Sequence, residues 1–464
     1  MALTAAPPSP RAWRLILVAL AALWAAAMSW HYRYDFPADK YTYLKVDFIA
    51  FQTAAAMVAN GNAEHLYDFR REAIDITVDR AAGVPGFAAD DLTVVRILPG
   101  DPFVKAAAAL DFPGDHPPVY VYNPVYAMAF MPLLKLPWNR AALLVDFACL
   151  FAFMATLLLF AQRLVVSQTA RAKIVCAAAP LILCTIAFPV RFDLLCGQIT
   201  PLVAAALLSA AFSFSSPAAR AAHGVAIALI AGMKILPLLI IVWLVGSRRK
   251  EEAIAATLTT IVVALLTVIF FGNVVGPWRS IAAAMGEGTR AWVYNQSLES
   301  LLGRFLLPLN FAGGWESFAP PQARIIAALP GVAAFCAWGS LAWQCWQRRT
   351  SSTDLLAALM TLFAFATPLA WSHYALYCFP GLALLIIAPT ARWQRILATA
   401  LAVCIVIDPA LAQEVFAWLR DLIGVAPASI IVKAAIALPT IAAVVLFCTL
   451  LSAASSSLRR APSA

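Results

Sequence analysis

The sequence predicts an all-α polytopic membrane protein, a single domain over residues 1–464 with about 10–12 transmembrane helices. Hydrophobic residues make up 63% of the chain and charged residues only 12%, whereas an average soluble domain has ~45–50% and ~25%. The apolar residues lie in runs close to the ~20 residues that a helix needs to cross a bilayer. The net charge of +9 lies in short basic clusters beside these runs. The composition therefore excludes a soluble enzyme, a secreted disulfide-linked domain and a nucleic-acid-binding protein.

The predicted spans follow one another from the N-terminus. The first, 13–30, comes after Arg11 and Arg14 and has no small-residue cleavage site at its end, so we expect it to be retained rather than removed as a signal peptide. Residues 124–137 are apolar but only fourteen residues long, which is typical of a re-entrant segment. The other predicted spans are 141–162, 171–190, 197–215, 222–246, 252–272, 324–346, 353–370, 374–389, 394–408 and 428–453.

Basic clusters predict the orientation, because positively charged loops stay on the cytoplasmic side. Working back from Arg459 and Arg460 places a second outer loop, 273–323, on the non-cytoplasmic side, and a cytoplasmic Arg11 places a first outer loop, 31–123, there as well. The other clusters that should face the cytoplasm are Arg11/Arg14, Arg163/Arg171/Lys173, Arg220, Arg248-Arg249-Lys250, Arg348-Arg349 and Arg392/Arg395.

This orientation requires two departures from simple spans. Residues 124–137 must not cross the membrane, and 222–246 must be two half-helices that meet near Gly232, a break that this glycine and Pro237 permit. A simple twelve-crossing arrangement is the alternative, and it places Arg163–Lys173 on the outer side.

The first outer loop contains a predicted helix that Asp47 opens. Phe48, Phe51, Ala55 and Val58 recur at i, i+3, i+7 and i+10, which is one face of a helix. We therefore expect an amphipathic helix that lies along the membrane interface.

Several common catalytic motifs are absent from the sequence. It contains no G-x-G-x-x-G, P-loop, H-E-x-x-H or G-x-S-x-G motif, and no D-x-D pair, which nucleotide-sugar enzymes use to hold a metal. His31, His65 and His116 share the first outer loop with many acids, but they lack metal-ligand spacing. We therefore expect no metal and no other cofactor.

Six short motifs follow one another along the chain, and together they carry a resemblance. They are Asp47-Phe48-x-x-Phe51-x-x-Ala54 with Leu66-Tyr67-Asp68, Tyr122-Asn123-Pro124, Gly197-Gln198, Gly232-x-Lys234-x-x-Pro237, Asn295-Gln296-Ser297 and Trp371-Ser372-His373-Tyr374. From about residue 45 to about residue 385 the chain resembles glycosyltransferase family 87, the polyprenyl-phosphate-mannose-dependent α-mannosyltransferases of the GT-C superfamily. The family often has Y-P-P where this chain has Y-N-P, so the contacts of that turn stay open.

The resemblance implies a GT-C-type bundle and an inverting hexosyltransferase. Such an enzyme would move a hexose, expected to be mannose, from a polyprenyl phosphate to a lipid-linked or glycan acceptor. Members of the family differ on the sugar, and the pentose arabinose is the alternative. The reaction would take place at the outer, periplasmic face of a bacterial plasma membrane. It needs a general base for the acceptor hydroxyl and cationic or hydrogen-bonding groups for the departing phosphate. A monophosphate leaving group carries less charge than a diphosphate, so a metal is not required.

Three residues receive the main roles from this resemblance. Asp47 matches the family's base, and its alternative role, which is compatible with the first, is to cap its helix. Lys234 lies inside an apolar segment, where a charge costs at least ~2.5–3.5 kcal/mol, so we favour contact with a phosphate or an acceptor lipid over snorkelling. His373 would contact the donor phosphate, and its alternative is an ordinary interfacial residue.

The remaining candidates have weaker grounds. Arg304 would bind phosphate or anchor its loop at the interface, and Gln198 would polarise a sugar hydroxyl or start a helix. Arg191 would bind substrate or form a solvated pair with Asp193, while Asp68 is expected in a turn. The other residues expected to contact substrate are Tyr122, Asn123, Asn295 and Gln296.

Two other functions remain open at this stage. A secondary transporter or lipid flippase would share the broken helix and the buried Lys234, but transporters tend to have two similar halves, and the long loop 31–123 has no counterpart. A catalytically silent scaffold would be insensitive to replacement of Asp47.

Overall fold

The computed structural model describes most of the chain. The described residues are 9–31, 46–74, 94–110, 119–165, 169–286, 295–306, 317–318, 323–348, 353–367, 370–388, 391–409, 411, 415, 418–419 and 422–459. Within them the chain is almost entirely helical and has one small sheet, which confirms the all-α prediction.

The helices follow the predicted spans in order. They are α1 (Pro10–Trp30), α2 (Val46–Ala59), α3 (Asp101–Ala108), α4 (Pro124–Met128), α5 (Trp138–Leu164), α6 (Ala170–Ile186), α7 (Phe188–Cys196), α8 (Thr200–Ser209), α9 (Pro217–Gly232), α10 (Ile240–Gly246), α11 (Lys250–Gly286), α12 (Leu298–Leu306), α13 (Ala323–Arg348), α14 (Thr353–Ala366), α15 (Phe379–Ile387), α16 (Arg392–Val406) and α17 (Val425–Arg459). Short 3-10 helices occupy Ala63–His65, Met131–Lys135, Leu236–Leu239 and Ser372–Cys378.

Four of the described helices are long and apolar enough to cross a membrane. They contain Arg11–Trp30, Trp138–Leu164, Lys250–Ile281 and Ile430–Ala453. The pair α6 and α7, bent by 55°, makes a fifth if it is counted as one span. Several of the remaining predicted segments contain shorter apolar helices of 10–17 residues. Two of these helices, Pro217–Gly232 and Pro237–Gly246, are joined across a break of the kind that membrane proteins tolerate inside a bundle.

Helix α2 is the central element of the first outer loop. It packs against α3, α4 and the 3-10 helix Met131–Lys135. The Phe51 ring is stacked on Tyr122 at 4.5 Å and on Phe130 at 4.7 Å between ring centroids. Residues 48–57 are buried on every face, so the expectation of an interfacial helix with one exposed face is wrong for α2. The amphipathic helix of this loop is α3, which buries Phe103 and exposes its charged side.

A three-stranded sheet joins the two outer loops. Strands β1 (Phe69–Ile74) and β2 (Val94–Pro99) form an antiparallel pair in the first outer loop. Strand β3 (Ser317–Phe318) comes from the second outer loop and pairs with the start of β2. The two loops therefore lie on the same side of the bundle, as the distribution of basic clusters predicts.

Both predicted interruptions are present. Residues 124–137 form only the five-residue α4 and a 3-10 helix, which are too short to cross a membrane. The segment 222–246 breaks where α9 ends at Gly232, and α10 begins at Ile240 after a 3-10 helix. Ile235 has a φ of 49° in this break, a conformation that is strained for a β-branched residue. Strain of this kind persists where the surrounding structure fixes the backbone.

Gly232 is required at the break because another side chain occupies the space of a Cβ. An ideal Cβ on Gly232 would fall well inside van der Waals contact with the Tyr126 hydroxyl of α4. We expect Gly232→Ala to destabilise the folded protein by ~1–3 kcal/mol, the usual range for an overpacked site. Thermal unfolding in detergent would measure this change. The double variant Gly232→Ala with Tyr126→Phe should recover much of the loss, and an unchanged midpoint in the single variant would contradict the close contact.

Candidate active site

Asp47 lies in the first turn of α2, at the point where the first outer loop meets the bundle. Its side chain is partly buried and shares a hydrogen bond with Gln198. Burial raises the pKa of the Asp47 carboxyl, while the Gln198 hydrogen bond and the Lys234 charge lower it. A carboxylate in such a setting can accept a proton more readily than one in free solution.

Gln198 reaches Asp47 because of the turn that ends α7. Gly197 has a φ of 68°, a left-handed conformation that glycine adopts without a steric penalty. The backbone N–H groups of Gly197 and Gln198 both donate to the Asp193 carbonyl, at 2.8 and 3.2 Å. This turn directs the Gln198 side chain, which is 3% exposed, toward α2.

Lys234 lies at the break between α9 and α10 and reaches the same point. Its ammonium donates to Gln198 Oε1 at 2.9 Å and to the Tyr374 hydroxyl at 3.2 Å. The ammonium also lies 4.4 Å from the centre of the Tyr374 ring, within the range of a cation–π interaction. Lys234 therefore faces the interior of the bundle and does not snorkel to an edge.

Tyr122, just before α4, is the fourth residue of this group. Its hydroxyl donates to Gln198 Oε1 at 3.3 Å, and its ring is stacked on Phe51 of α2. The Tyr67 hydroxyl donates to the Tyr122 backbone carbonyl and so fixes this turn. The predicted residues Asp47, Tyr122, Gln198 and Lys234 thus form one cluster, although the chain separates them by up to 187 positions (234 − 47).

His373 adjoins this cluster, next to Lys234 and Tyr374. The imidazole is 1% exposed, stacks on Phe192 of α7 with 5.8 Å between ring centroids, and meets the Tyr374 ring edge-on at 4.9 Å. Neither ring nitrogen has a hydrogen-bond partner among the described residues. The Lys234 charge acts on His373, so the two side chains lie close together.

The Asn295-Gln296-Ser297 segment packs against the turn that carries His373, residues 370–373. Asn295 forms an isolated β-bridge with Trp371, and the Gln296 N–H donates to the Ala370 carbonyl. The Thr440 hydroxyl of α17 lies 2.9 Å from the Gln296 backbone oxygen and 2.8 Å from its Oε1. Asn295 and Gln296 therefore hold the turn that carries His373, and their predicted contacts with sugar hydroxyls remain a prediction.

Three other predicted residues have different surroundings. The Asn123 amide oxygen accepts from the Val125 N–H as the N-cap of α4 and from the Thr267 hydroxyl, both at 3.0 Å. Arg304 is buried and donates to the Asn295 carbonyl at 3.1 Å, and burial lowers the pKa of its guanidinium to about 9. Arg191 is exposed, whereas Asp193, two positions further on, is buried.

Tyr374 is the residue of the cluster that the sequence did not single out. It lies in the W-S-H-Y motif, but a tyrosine near a membrane interface is ordinary, so its pattern carries no specific signal. Within the described part of the chain no three His, Cys, Asp or Glu side chains form a group that could hold a metal ion. His65 contacts Asp68 at 2.9 Å in the turn expected for Asp68.

A second titratable cluster lies at the other end of the bundle. Glu252 is fully buried and pairs with Arg249 and with His223, and the His223 ring also lies 2.7 Å from the Ser209 hydroxyl. This geometry resembles a catalytic triad, but it sits at the C-terminal end of α8. Carbonyl oxygens there already accept from Arg163 and Arg249 and would repel an oxyanion. The cluster therefore ties α8, α9 and α11 together.

One comparison with known proteins identifies the family of the chain. The model of glycosyltransferase family 87 matches residues 120–372. This match covers more than half of the chain and contains Tyr122, Gln198 and Lys234, whereas Asp47, His373 and Tyr374 lie outside it. The comparisons with curated proteins and with solved structures give no significant match. The chain belongs to glycosyltransferase family 87 and is a glycosyltransferase built on membrane helices.

Proposed function

We propose that the protein moves a hexose, mannose in the first instance, from a polyprenyl phosphate to a hydroxyl of a lipid-linked or glycan acceptor. The observation that carries this proposal is the contact series from Asp47 through Gln198 to Lys234, with His373 beside it. A carboxylate stands at one end of this series and phosphate-binding groups at the other. An in-line displacement needs its base and its leaving-group contacts on opposite sides of the reacting carbon.

The proposed reaction is a single displacement with inversion. The acceptor oxygen forms a bond to the anomeric carbon while the bond from that carbon to the phosphate oxygen breaks. Asp47 takes the hydroxyl proton as the new bond forms, which typically contributes 10²–10⁴-fold. Lys234 and His373 stabilise the charge that develops on the departing polyprenyl phosphate. The protons and charges balance without a further reactant.

The membrane setting suits a lipid-linked donor. The cluster lies where the first outer loop meets spanning helices, so a phosphate at Lys234 would keep its isoprenoid chain beside apolar helices such as α11, whose outward face is aliphatic. The distribution of basic clusters favours the outer, periplasmic side of a bacterial plasma membrane. Membrane lipids, the donor and the acceptor are the partners that this proposal includes, and nucleic acid is not among them.

A transfer assay tests the proposal. The full-length protein, in lipid nanodiscs, would be incubated with labelled polyprenyl-phosphate-mannose and a total lipid extract, and in parallel with polyprenyl-phosphate-arabinose or a nucleotide-activated mannose. We expect label to enter a new glycolipid from a polyprenyl-phosphate donor and not from the nucleotide donor. Transfer from the nucleotide donor alone would overturn the donor assignment. Passage of intact donor across vesicles, without a new glycosidic bond, would instead show a flippase.

A further inference from the structure

We propose that Gln198 is a positioning residue that joins Lys234 to Asp47 and holds the base ready, rather than a ligand of a sugar hydroxyl. The inference rests on the proposed function only in taking Asp47 as the base. Its geometric ground is that the Gln198 amide is hydrogen-bonded at both ends within one cluster.

The orientation of the amide follows from its partners. The Lys234 ammonium and the Tyr122 hydroxyl both donate to Gln198 Oε1, at 2.9 and 3.3 Å, which uses the two lone pairs of a carbonyl oxygen. The NH₂ end of the amide is therefore the end that donates to Asp47. A flipped amide would set NH₂ against an ammonium and a carbonyl against a carboxylate, so the network selects one orientation.

This orientation has a chemical consequence for the base. A partly buried carboxylate tends to stay protonated because burial disfavours its charged form. A hydrogen bond donated to the carboxylate favours the charged form, and Gln198 supplies it. Lys234 strengthens that bond by polarising the amide from the other end, since hydrogen bonds in a chain polarise one another. Gln198 thus favours the ionised form of the Asp47 carboxylate and fixes its orientation.

The same geometry leaves Lys234 able to bind a phosphate. An ammonium has three donors, and Gln198 and Tyr374 take two of them among the described residues. The third N–H of the Lys234 ammonium can donate to an oxygen of the donor phosphate. One side chain would then contact the leaving group and, through Gln198, support the base, which links occupation of the phosphate site to the state of Asp47.

The other titratable groups around α2 do not provide this support. Lys234 is the charged group that acts on Asp47 from another element. The charged side chains Asp101, Lys105 and Lys135, on α3 and on the adjacent 3-10 helix, are exposed. Asp193 of α7 acts on Tyr377, deeper in the bundle. A change in the titration of Asp47 on removal of the amide therefore reports on Gln198.

The test is the pH profile of transfer by Gln198→Leu. We expect kcat to fall by ~10- to 100-fold, because hydrogen bonds to charged groups contribute ~1.5–3 kcal/mol and ~1.4 kcal/mol is tenfold in rate. The acid limb of kcat/KM should move to higher pH, since loss of a hydrogen bond that lowers the pKa of Asp47 raises that pKa. Gln198→Glu should move the limb further, because a second carboxylate disfavours the charge on the first.

Controls separate the possible outcomes. Gln162→Leu, near the C-terminal end of α5 and far from Asp47, should leave the pH profile unchanged, and thermal unfolding would show that each variant folds. A raised KM with an unchanged acid limb would overturn the inference and return Gln198 to a sugar-binding role. An unchanged kcat together with an unchanged acid limb of kcat/KM in Gln198→Leu would also overturn the inference. Failure of wild type to use a polyprenyl-phosphate sugar would instead remove the proposed function, so the two failures are distinct.

Discussion

Asp47→Asn is expected to lower kcat for hexose transfer by ~10²–10⁴-fold, the contribution of a well-placed general base. Asparagine has nearly the same shape as aspartate and can still hydrogen-bond to Gln198, so the cluster should keep its packing. It cannot take a proton from the acceptor hydroxyl at neutral pH. KM for the donor should change little, because the phosphate contacts lie at the Lys234 end of the cluster.

This substitution separates the two roles of Asp47. Helix α2 begins at Val46, so Asp47 lies in its first turn rather than at its N-cap, where a negative charge contributes ~0.3–1 kcal/mol through the helix dipole. A residue with only that role would leave the transfer rate unchanged in Asp47→Asn. If Asp47 is the base, Asp47→Asn should lower the transfer rate and leave the unfolding midpoint nearly unchanged. Asp68→Asn is a matched control, because Asp68 lies in the same loop and contacts His65 at the surface. Equal transfer by wild type and Asp47→Asn would remove Asp47 as the base.

The sequence predicted the helical segments well, because each depends on a local run of apolar residues. It misjudged the surroundings of α2 for a physical reason. The spacing of Phe48, Phe51 and Val58 predicts one buried face, but the opposite face carries small residues that reveal little about their neighbours. The elements that pack against α2 include α4 and the turn 131–135, which lie about 70 residues further on. Such long-range coverage leaves no periodic signal.

The site was predictable as a set of residues but not as a set of contacts. Motif order pointed to Asp47, Gln198 and Lys234, which the fold brings together. It gave no means to see that Asn123 caps α4 or that Gln296 is held by Thr440 of α17, 144 positions away. Polar residues in a motif can bind substrate or support the residues that do, and only their partners decide between these roles.

Lys234→Met is expected to affect both binding and rate, because Lys234 is proposed to contact the donor phosphate and, through Gln198, to support the base. Methionine keeps the unbranched apolar stem and removes the charge. Loss of a buried donor that stabilises developing charge typically lowers kcat by ~10²–10³-fold. KM for the donor should rise as well, since the same ammonium is expected to contact the ground-state phosphate. The polyprenyl-phosphate titration and single-turnover rates would measure the two effects separately.

The pH dependence of Lys234→Met gives an independent check. The Lys234 charge lowers the pKa of the Asp47 carboxyl, so its removal should raise that pKa and move the acid limb of kcat/KM to higher pH. Lys105→Met, which removes an exposed lysine of α3 on the same side of the bundle, should change neither kinetic constant nor the limb. If Lys234 only snorkelled, its loss would stabilise the apolar segment, because a charge is unfavourable there, and transfer would continue at the wild-type rate. A stable and fully active Lys234→Met protein would therefore show that the phosphate is held elsewhere.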